Sequence, residues 1–393
     1  MSNFSYYTPT HVYFGRGSQN RVGELVRAQG CKKVLIHYGG QSARRSGLLD
    51  QVETSLDAAG VAHVQLGGVV PNPHLSLVYE GIALCRREGV DFILAVGGGS
   101  VIDSAKAIGY GMCMAGDVWE RYDHKRRATG CLPLGVILTI AASGSEMSDS
   151  SVITKEEGGI KRGYNDDICR PKFAIMNPEL TMTLPDYQTA CGCTDILMHT
   201  MERYFVQGDA MEITDSIAEG LLHTVMAQAK ILRDDPQNYD ARAEVMWAGS
   251  LSHNGLTGCG PSESDFASHR LEHEMGGMFD VAHGAGLAAI WGSWARYVYQ
   301  SCLPRFVLFA RNVMGVETGL SDEDTALRGI ELMEDFFRSI HMPTCFSELG
   351  IHPTQAQLEE MAHKCYLAVG GLLGSAKKLD ESDMLAIYKM ANH

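Results

Sequence analysis

The feature that most constrains the fold is a change of rhythm along the chain. Between Lys33 and Leu138, short apolar runs alternate with helical segments. Lys33–Tyr38 (KVLIHY), Val61–Leu66 (VAHVQL), Asp91–Val96 (DFILAV) and Leu134–Leu138 (LGVIL) read as strands. Leu48–Ala59, Leu75–Glu88 and a segment opening near Ser100 and running through Lys106 read as helices. Alternation of this kind predicts a parallel sheet with helices on both faces. After Leu184-Pro185 the strands stop. Thr189–Val206, Ile213–Leu232, Ala241–Asn254, Glu263–Met278 and Asp322–Ser339 carry apolar residues at helical spacing. The expected fold class is therefore an α/β domain over 1–184, followed by an all-α domain over 185–393.

A chain of 393 residues exceeds one ordinary hydrophobic core, which agrees with two domains. A net charge of −14, with no basic run, argues against nucleic acid or an anionic membrane surface as a partner. No stretch approaches the roughly 20 apolar residues of a membrane span. The opening MSNFSYYTPTHVYFGRGS has no apolar core of the signal-peptide kind. Eleven cysteines are scattered without zinc-finger spacing, and CGC at 191–193 is too tight for a CxxC redox pair. Reduced thiols in a cytoplasmic protein are expected.

Gly97-Gly98-Gly99-Ser100-Val101-Ile102-Asp103 follows an apolar strand and opens a helix. Glycines let a backbone approach phosphate closely, and a helix N-terminus offers free N–H groups and a favourable dipole. The run is neither GxGxxG nor a Walker A motif. A second glycine turn, Gly39-Gly40-Gln41-Ser42, follows the first apolar strand, with Arg44 and Arg45 close behind. An acid at the end of such a strand selects NAD through the ribose hydroxyls. No acid occurs between Lys33 and Leu49, which favours NADP(H) over NAD. Ser143-Gly144-Ser145-Glu146 ends a further strand region after Thr139 and offers small hydroxyls to a phosphate or ribose.

Asp195 and His199 stand four apart in TDILMH, as do His269 and His273 in SHRLEH, and His283 follows in DVAHGAG. Residues four apart share a helix face, so each pair can aim at one point. One carboxylate with imidazoles suits Fe²⁺ or Zn²⁺ better than Ca²⁺ or Mg²⁺. Five candidates exceed a tetrahedral set, and spacing alone does not say which has another task. Gly276-Gly277 is expected to end the second helix and free His283 to fold back. The other histidines, His37 and His124 among them, are given no role, although His253 could line the site.

With these motifs in place the chain resembles the iron-containing, or group III, alcohol dehydrogenases nearly end to end. The resemblance runs through Val12-Tyr13-Phe14-Gly15-Arg16-Gly17, GGGSVIDSAK (97–106), Thr139–Glu146, NPELTMTLPDYQTACGCTD (177–195), SHRLEHEMGG (268–277) and AHGAG (282–286). YGGQSARRSG (38–47) is similar to the NADP-dependent butanol dehydrogenase and aldehyde reductase branch. The resemblance implies a dehydroquinate synthase-like pair of domains: an α/β, Rossmann-like nucleotide-binding domain over 1–184 and an all-α metal-binding domain over 185–393. It implies metal ligation by Asp195, His199, His269 and His283, with His273 beside the nicotinamide as a catalytic proton relay. It also implies that Gly97, Gly98, Gly99, Ser100 and Asp103 hold the pyrophosphate. Thr139, Ser143, Lys161 and Asn72 would line the cofactor, and Gly39, Gly40 and Ser42 would surround its adenosine end. The implied partners are a small aldehyde or primary alcohol and a second copy of the chain.

Three departures stand out. Glu272 replaces the glycine usual before the middle histidine, where it would perturb His273 if it pointed inward. Trp291-Gly292-Ser293-Trp294 replaces a segment that often holds proline, and TIAASGSE replaces a threonine-rich stretch. Two other enzyme classes share the plan. A dehydroquinate synthase-like lyase would need a pocket rich in lysine and arginine. A glycerol dehydrogenase usually lacks a histidine four after the aspartate, so His199 argues against it. A non-catalytic NADP-binding protein would have no need for an intact ligand set.

Overall fold

The computed structural model describes residues 2–123, 126–208, 211–261 and 263–393. His124 lies outside them. Two compact units form, Thr8–Leu184 and Met1–Tyr7 with Pro185–His393. The start of the chain thus groups with the helical unit rather than with the α/β unit, and Ser2 N–H donates to the Gly260 carbonyl at 2.9 Å.

The first unit contains β1 (His11–Phe14), β2 (Lys33–Tyr38), β3 (Ala62–Leu66), β4 (Phe92–Gly97), β5 (Leu134–Leu138), β6 (Ser150–Lys155), β7 (Ile160–Asn165) and β8 (Phe173–Met176). Its helices are α1 (Val22–Arg27), α2 (Ser42–Arg45), α3 (Leu48–Ala58), α4 (Leu75–Glu88), α5 (Gly99–Met112) and α6 (Trp119–Asp123). Six strands form a parallel sheet in the order β1-β8-β5-β4-β2-β3. β4, β5 and β8 are buried throughout, which explains their unbroken apolar runs: both faces of a parallel sheet are covered. On one face Val22, Val26, Val52 and Leu56 pack against Ile36, Leu94 and Ile175.

From β2 the chain adds β3 on one side and then β4 on the other. Loops leaving the carboxyl ends of β2 and β4 therefore diverge from adjacent strands, the usual place for a ligand crevice in an open α/β sheet. β6 and β7 form a separate antiparallel hairpin, with Thr154 opposite Lys161. This hairpin is an addition to the strands expected from the sequence.

The second unit is helical: α7 (Asp186–Tyr204), α8 (Glu212–Asp234), α9 (Tyr239–His253), α10 (Ala267–Phe279), α11 (His283–Val298), α12 (Leu303–Asn312), α13 (Asp322–Ser339), α14 (Phe346–Leu349), α15 (Gln355–Val369) and α16 (Glu381–Ala391). Among the described residues, no helix is long and apolar enough to cross a membrane.

α10 begins later than expected and ends within one residue of the expected Met278. It starts at Ala267 rather than Glu263, because Phe266 takes a left-handed φ of 52°. The buried Asp265 carboxylate accepts the Ala267 N–H at 3.0 Å and the N–H groups of Ser375 and Ala376 at 2.7 and 2.8 Å. Gly276-Gly277 does not end the helix, which runs on to Phe279 and closes at Asp280, also left-handed. A glycine costs a helix only about 1 kcal/mol against alanine, and packing overrides that.

Candidate functional site

Three helices supply the polar cluster of the second unit. α7 carries Asp195, His199 and Glu202 on one face, one and two turns apart. α10 carries His269, Glu272 and His273. His283 is the first residue of α11. Its neighbour Gly284 lets α11 press against α7: a Cβ there would lie 2.1 Å from the Cys191 carbonyl oxygen. That close approach brings His283 towards Asp195, one turn further along α7.

Three imidazole nitrogens ring one carboxylate oxygen. Asp195 Oδ1 lies 3.5 Å from His199 Nδ1, 3.4 Å from His269 Nε2 and 3.7 Å from His283 Nε2. Donor atoms bound tetrahedrally at about 2.1 Å would be separated by roughly 3.4 Å. Asp195, His199 and His269 are only 4%, 3% and 5% exposed. Asp195 Oδ1, His199 Nδ1 and His269 Nε2 are buried without a hydrogen-bond partner. Buried polar atoms are normally satisfied, so three converging orphans fit a cation that completes them. The donor set, one carboxylate and three imidazoles, fits Fe²⁺ or Zn²⁺.

Two fully buried carboxylates back this ring. Glu202 accepts from His269 Nδ1, and from the His269 backbone N–H at 3.0 Å. Glu272 accepts from His283 Nδ1. Since a carboxylate only accepts, both histidines carry a proton on Nδ1 and turn Nε2 to Asp195, the nitrogen that would bind a metal. Burial, followed by the charges of His253 and His269, pushes His199 well below the usual imidazole range and keeps it neutral. Burial would lower His269 too, but Glu202 and Asp195 reverse this and raise it to about 9.

Glu272 turns inward, as the expectation for His273 required; it accepts from His283 Nδ1, and Glu272, His273 and His283 form one cluster whose candidate ligand atoms lie within 4.8 Å of one another. His273 is 7% exposed, with its ring 5.9 Å from that of His283. His253 packs its ring 4.0 Å from His199. Glu202 escaped the sequence reading, although its position seven residues after Asp195 places it on the same helix face.

In the first unit, the expected nucleotide residues gather at the carboxyl ends of adjacent strands. Gly39 and Gly40 leave β2, Gly97–Ser100 leave β4, and Thr139 leaves β5, its N–H donating to the Gly97 carbonyl at 3.0 Å. α5 begins at Gly99 with no side chain capping it, so its first N–H groups are open to an anion. A Cβ on Gly99 would sit 2.3 Å from Ser143 Oγ, so a side chain there would force the serine or the loop to move. Gly40 and Ser42 are exposed on the turn after β2.

Asp103 is engaged in holding the scaffold. Its carboxylate accepts from Ser145 Oγ at 2.6 Å and from the Val152 N–H at 3.0 Å. Buried Lys106, one turn on, donates to the Ser145 carbonyl and hydroxyl at 2.8 Å each, the Ser148 carbonyl at 3.0 Å and the Ser150 carbonyl at 2.7 Å. Asn72 is buried at a left-handed φ of 54° between two prolines. The Pro73 carbonyl accepts the Thr154 N–H at 2.8 Å, and Thr154 pairs with buried Lys161. Asn72 and Lys161 thus belong to one local assembly built on the unexpected hairpin. Arg44 donates to Tyr38 Oη at 2.8 Å and Gln65 Oε1 at 3.0 Å, while Arg45 is exposed.

Comparison with known proteins agrees with this chemistry. The family model for iron-containing alcohol dehydrogenase matches residues 9–178, and that for the Fe-containing alcohol dehydrogenase family, C-terminal, matches 189–392. NADH-dependent butanol dehydrogenase A of Clostridium acetobutylicum is 37% identical over 390 residues, 99% of each chain. The NADPH-dependent aldehyde reductase of Escherichia coli is 34% identical over 358 residues, 89% of this chain and 90% of its own. The crystal structure of NADH-dependent butanol dehydrogenase A from Thermotoga maritima superposes with a TM-score of 0.96 at 36% identity, covering 100% of this chain and 99% of the other. Fold, site and matches together define a metal-dependent oxidoreductase of alcohols and aldehydes that uses a nicotinamide cofactor. The chain belongs to the iron-containing alcohol dehydrogenase family.

Proposed function

We propose that this protein interconverts small to medium aldehydes and primary alcohols with NADP(H), using one Fe²⁺ or Zn²⁺ held by Asp195, His199, His269 and His283. The observation that carries this reading is the ring of three imidazole nitrogens, 3.4 to 3.7 Å from Asp195 Oδ1, with three of the four atoms buried and unsatisfied. When bound, the ion supplies Lewis acidity to the substrate oxygen, and the nicotinamide carries the hydride.

The chain's own residues do the rest. Asp195 contributes a negative charge and His199 a neutral lone pair. Glu202 and Glu272 hold two imidazoles in the tautomer that leaves Nε2 free. His273, buried one turn beyond His269 on α10, is the group that passes a proton to or from the substrate oxygen. Gly97–Ser100 and the open N-terminus of α5 take the pyrophosphate. Thr139, Ser143, Asn72 and Lys161 line the cofactor, and Gly39, Gly40 and Ser42 surround its adenosine end.

The turn after β2 supports NADP(H). It carries no acid, and Ser42, Arg44 and Arg45 stand exposed beside it. The relatives do not carry this choice: four butanol dehydrogenases named NADH-dependent lie at 35–38% identity, and the NADPH-dependent aldehyde reductase lies at 34%. The test is kcat/KM for NADPH and NADH with butanal as substrate, repeated on Arg44→Ala/Arg45→Ala. A preference for NADPH that the double variant loses is expected. A preference for NADH in the wild type contradicts the cofactor assignment. The free state of all eleven cysteines supports a reducing compartment. The outer edge of β1, which among the described residues pairs with β8 alone, supports self-association of two chains.

A further inference from the structure

His283 differs from its companions in how it is held. Asp195 and His199 share α7, and His269 is fastened by Glu202 through both backbone and ring. His283 opens a new helix, three residues after the left-handed Asp280. Its side chain is 29% exposed, against 4% for His199 and 7% for His269. An imidazole on a helix start with access to solvent has rotamers that turn Nε2 away from Asp195. Something must select the one observed.

The structure assigns that task to Glu272: we propose that it is a positioning residue, holding the His283 ring so that Nε2 faces Asp195 and the metal. The inference rests on the metal reading above. Glu272 is 0% exposed, sits on α10 and accepts from His283 Nδ1. Its position is built from both sides. α10 also carries His269, so the contact ties the ligand on α11 to the helix of another ligand. α11 makes room for it at Gly286, one turn after His283, where a Cβ would lie 2.9 Å from Glu272 Cγ and 3.2 Å from Oε1. The carboxylate thus lies against the first turn of α11, whose dipole favours negative charge. A carboxylate on the distal nitrogen fixes the tautomer and raises the basicity of the nitrogen facing the metal.

The test is metal affinity, read by competition with a chromophoric chelator on metal-stripped protein reloaded with Zn²⁺. Wild type is compared with Glu272→Ala, Glu272→Gln, His283→Ala and the double variant Glu272→Ala/His283→Ala. Glu272→Ala should weaken affinity by roughly 10- to 100-fold. Glu272→Gln, which keeps an acceptor of the same shape, should lose less and guards against simple misfolding. In the double variant the Glu272 effect should vanish, because its partner is gone. An undiminished effect of Glu272→Ala in the His283→Ala background, or wild-type affinity in Glu272→Ala, would overturn the proposal. Wild-type affinity in His283→Ala would instead sink the ligand assignment on which the proposal rests.

Discussion

Glu202 grips His269 at two points, taking the backbone N–H on one oxygen and the ring Nδ1–H on the other. The residues lie on different helices, and both are buried. The pair fixes where α10 sits against α7 and which ring nitrogen faces Asp195. Glu202→Ala should therefore lower Zn²⁺ affinity by about 10- to 100-fold. It should also cost about 1–3 kcal/mol of stability in the metal-free protein, because buried donors are left unpaired. Chelator competition and urea unfolding read the two effects separately. Loss of stability without loss of affinity would reduce Glu202 to a helix clamp.

Gly99→Ala tests the nucleotide loop. The new methyl would meet Ser143 Oγ at 2.3 Å, and either the loop or the serine must yield. Overpacking of this kind costs about 1–3 kcal/mol, so NADPH affinity measured by calorimetry should fall roughly 5- to 150-fold where the loop bears the strain. Metal content should not change, since no metal-ring residue belongs to this unit. Unaltered NADPH binding would remove the loop from the cofactor site.

Lys106→Met tests the scaffold behind that loop. The substitution leaves oxygens of Ser145, Ser148 and Ser150 without their buried donor. A loss of about 3 kcal/mol or more is expected in chemical denaturation. NADPH affinity should drop with it, because Ser145 also positions Asp103.

His37 makes the α/β unit sensitive to acid. It is wholly buried in β2, donating from Nδ1 to the Leu66 carbonyl and accepting on Nε2 from the Ser104 hydroxyl, both at 2.9 Å. Burial pushes its pKa down to about 4 from 6.5, although the Leu66 bond opposes this. The unfolded chain then binds the extra proton first. The stabilisation is whole above pH 6.5 and is lost as pH falls towards 4, up to about 3 kcal/mol at 1.36 kcal/mol per pKa unit. His37→Gln should flatten the difference between urea unfolding at pH 7 and at pH 5. An unchanged difference would place the acid sensitivity elsewhere.

The sequence showed some parts of this molecule better than others, for physical reasons. KVLIHY, DFILAV and LGVIL announce buried parallel strands because neither face meets water. SSVITK and IKRGYN mix polar with apolar residues without strict alternation, so the hairpin that carries Lys161 stayed hidden. The pairs Asp195–His199 and His269–His273 were visible because residues four apart share a helix face, but of the second pair His269 is the one that joins the ring around Asp195. His283 and the carboxylates behind the ring depend on packing between helices. His269 and Glu202 are 67 residues apart, and no local pattern links them. The start of α10 was hidden because a phenylalanine, rather than a glycine, adopts the left-handed turn there.

The central claim is that the ring around Asp195 holds one divalent metal on which turnover depends. The most direct measurement strips the protein of metal, restores Fe²⁺ or Zn²⁺ separately, and follows butanal-dependent NADPH oxidation beside metal content per chain, with His269→Ala in parallel. The account predicts no turnover in the stripped protein and recovery as one ion per chain returns. It predicts neither metal nor turnover in His269→Ala, whose NADPH binding persists. Full turnover without metal, or in His269→Ala, would contradict it.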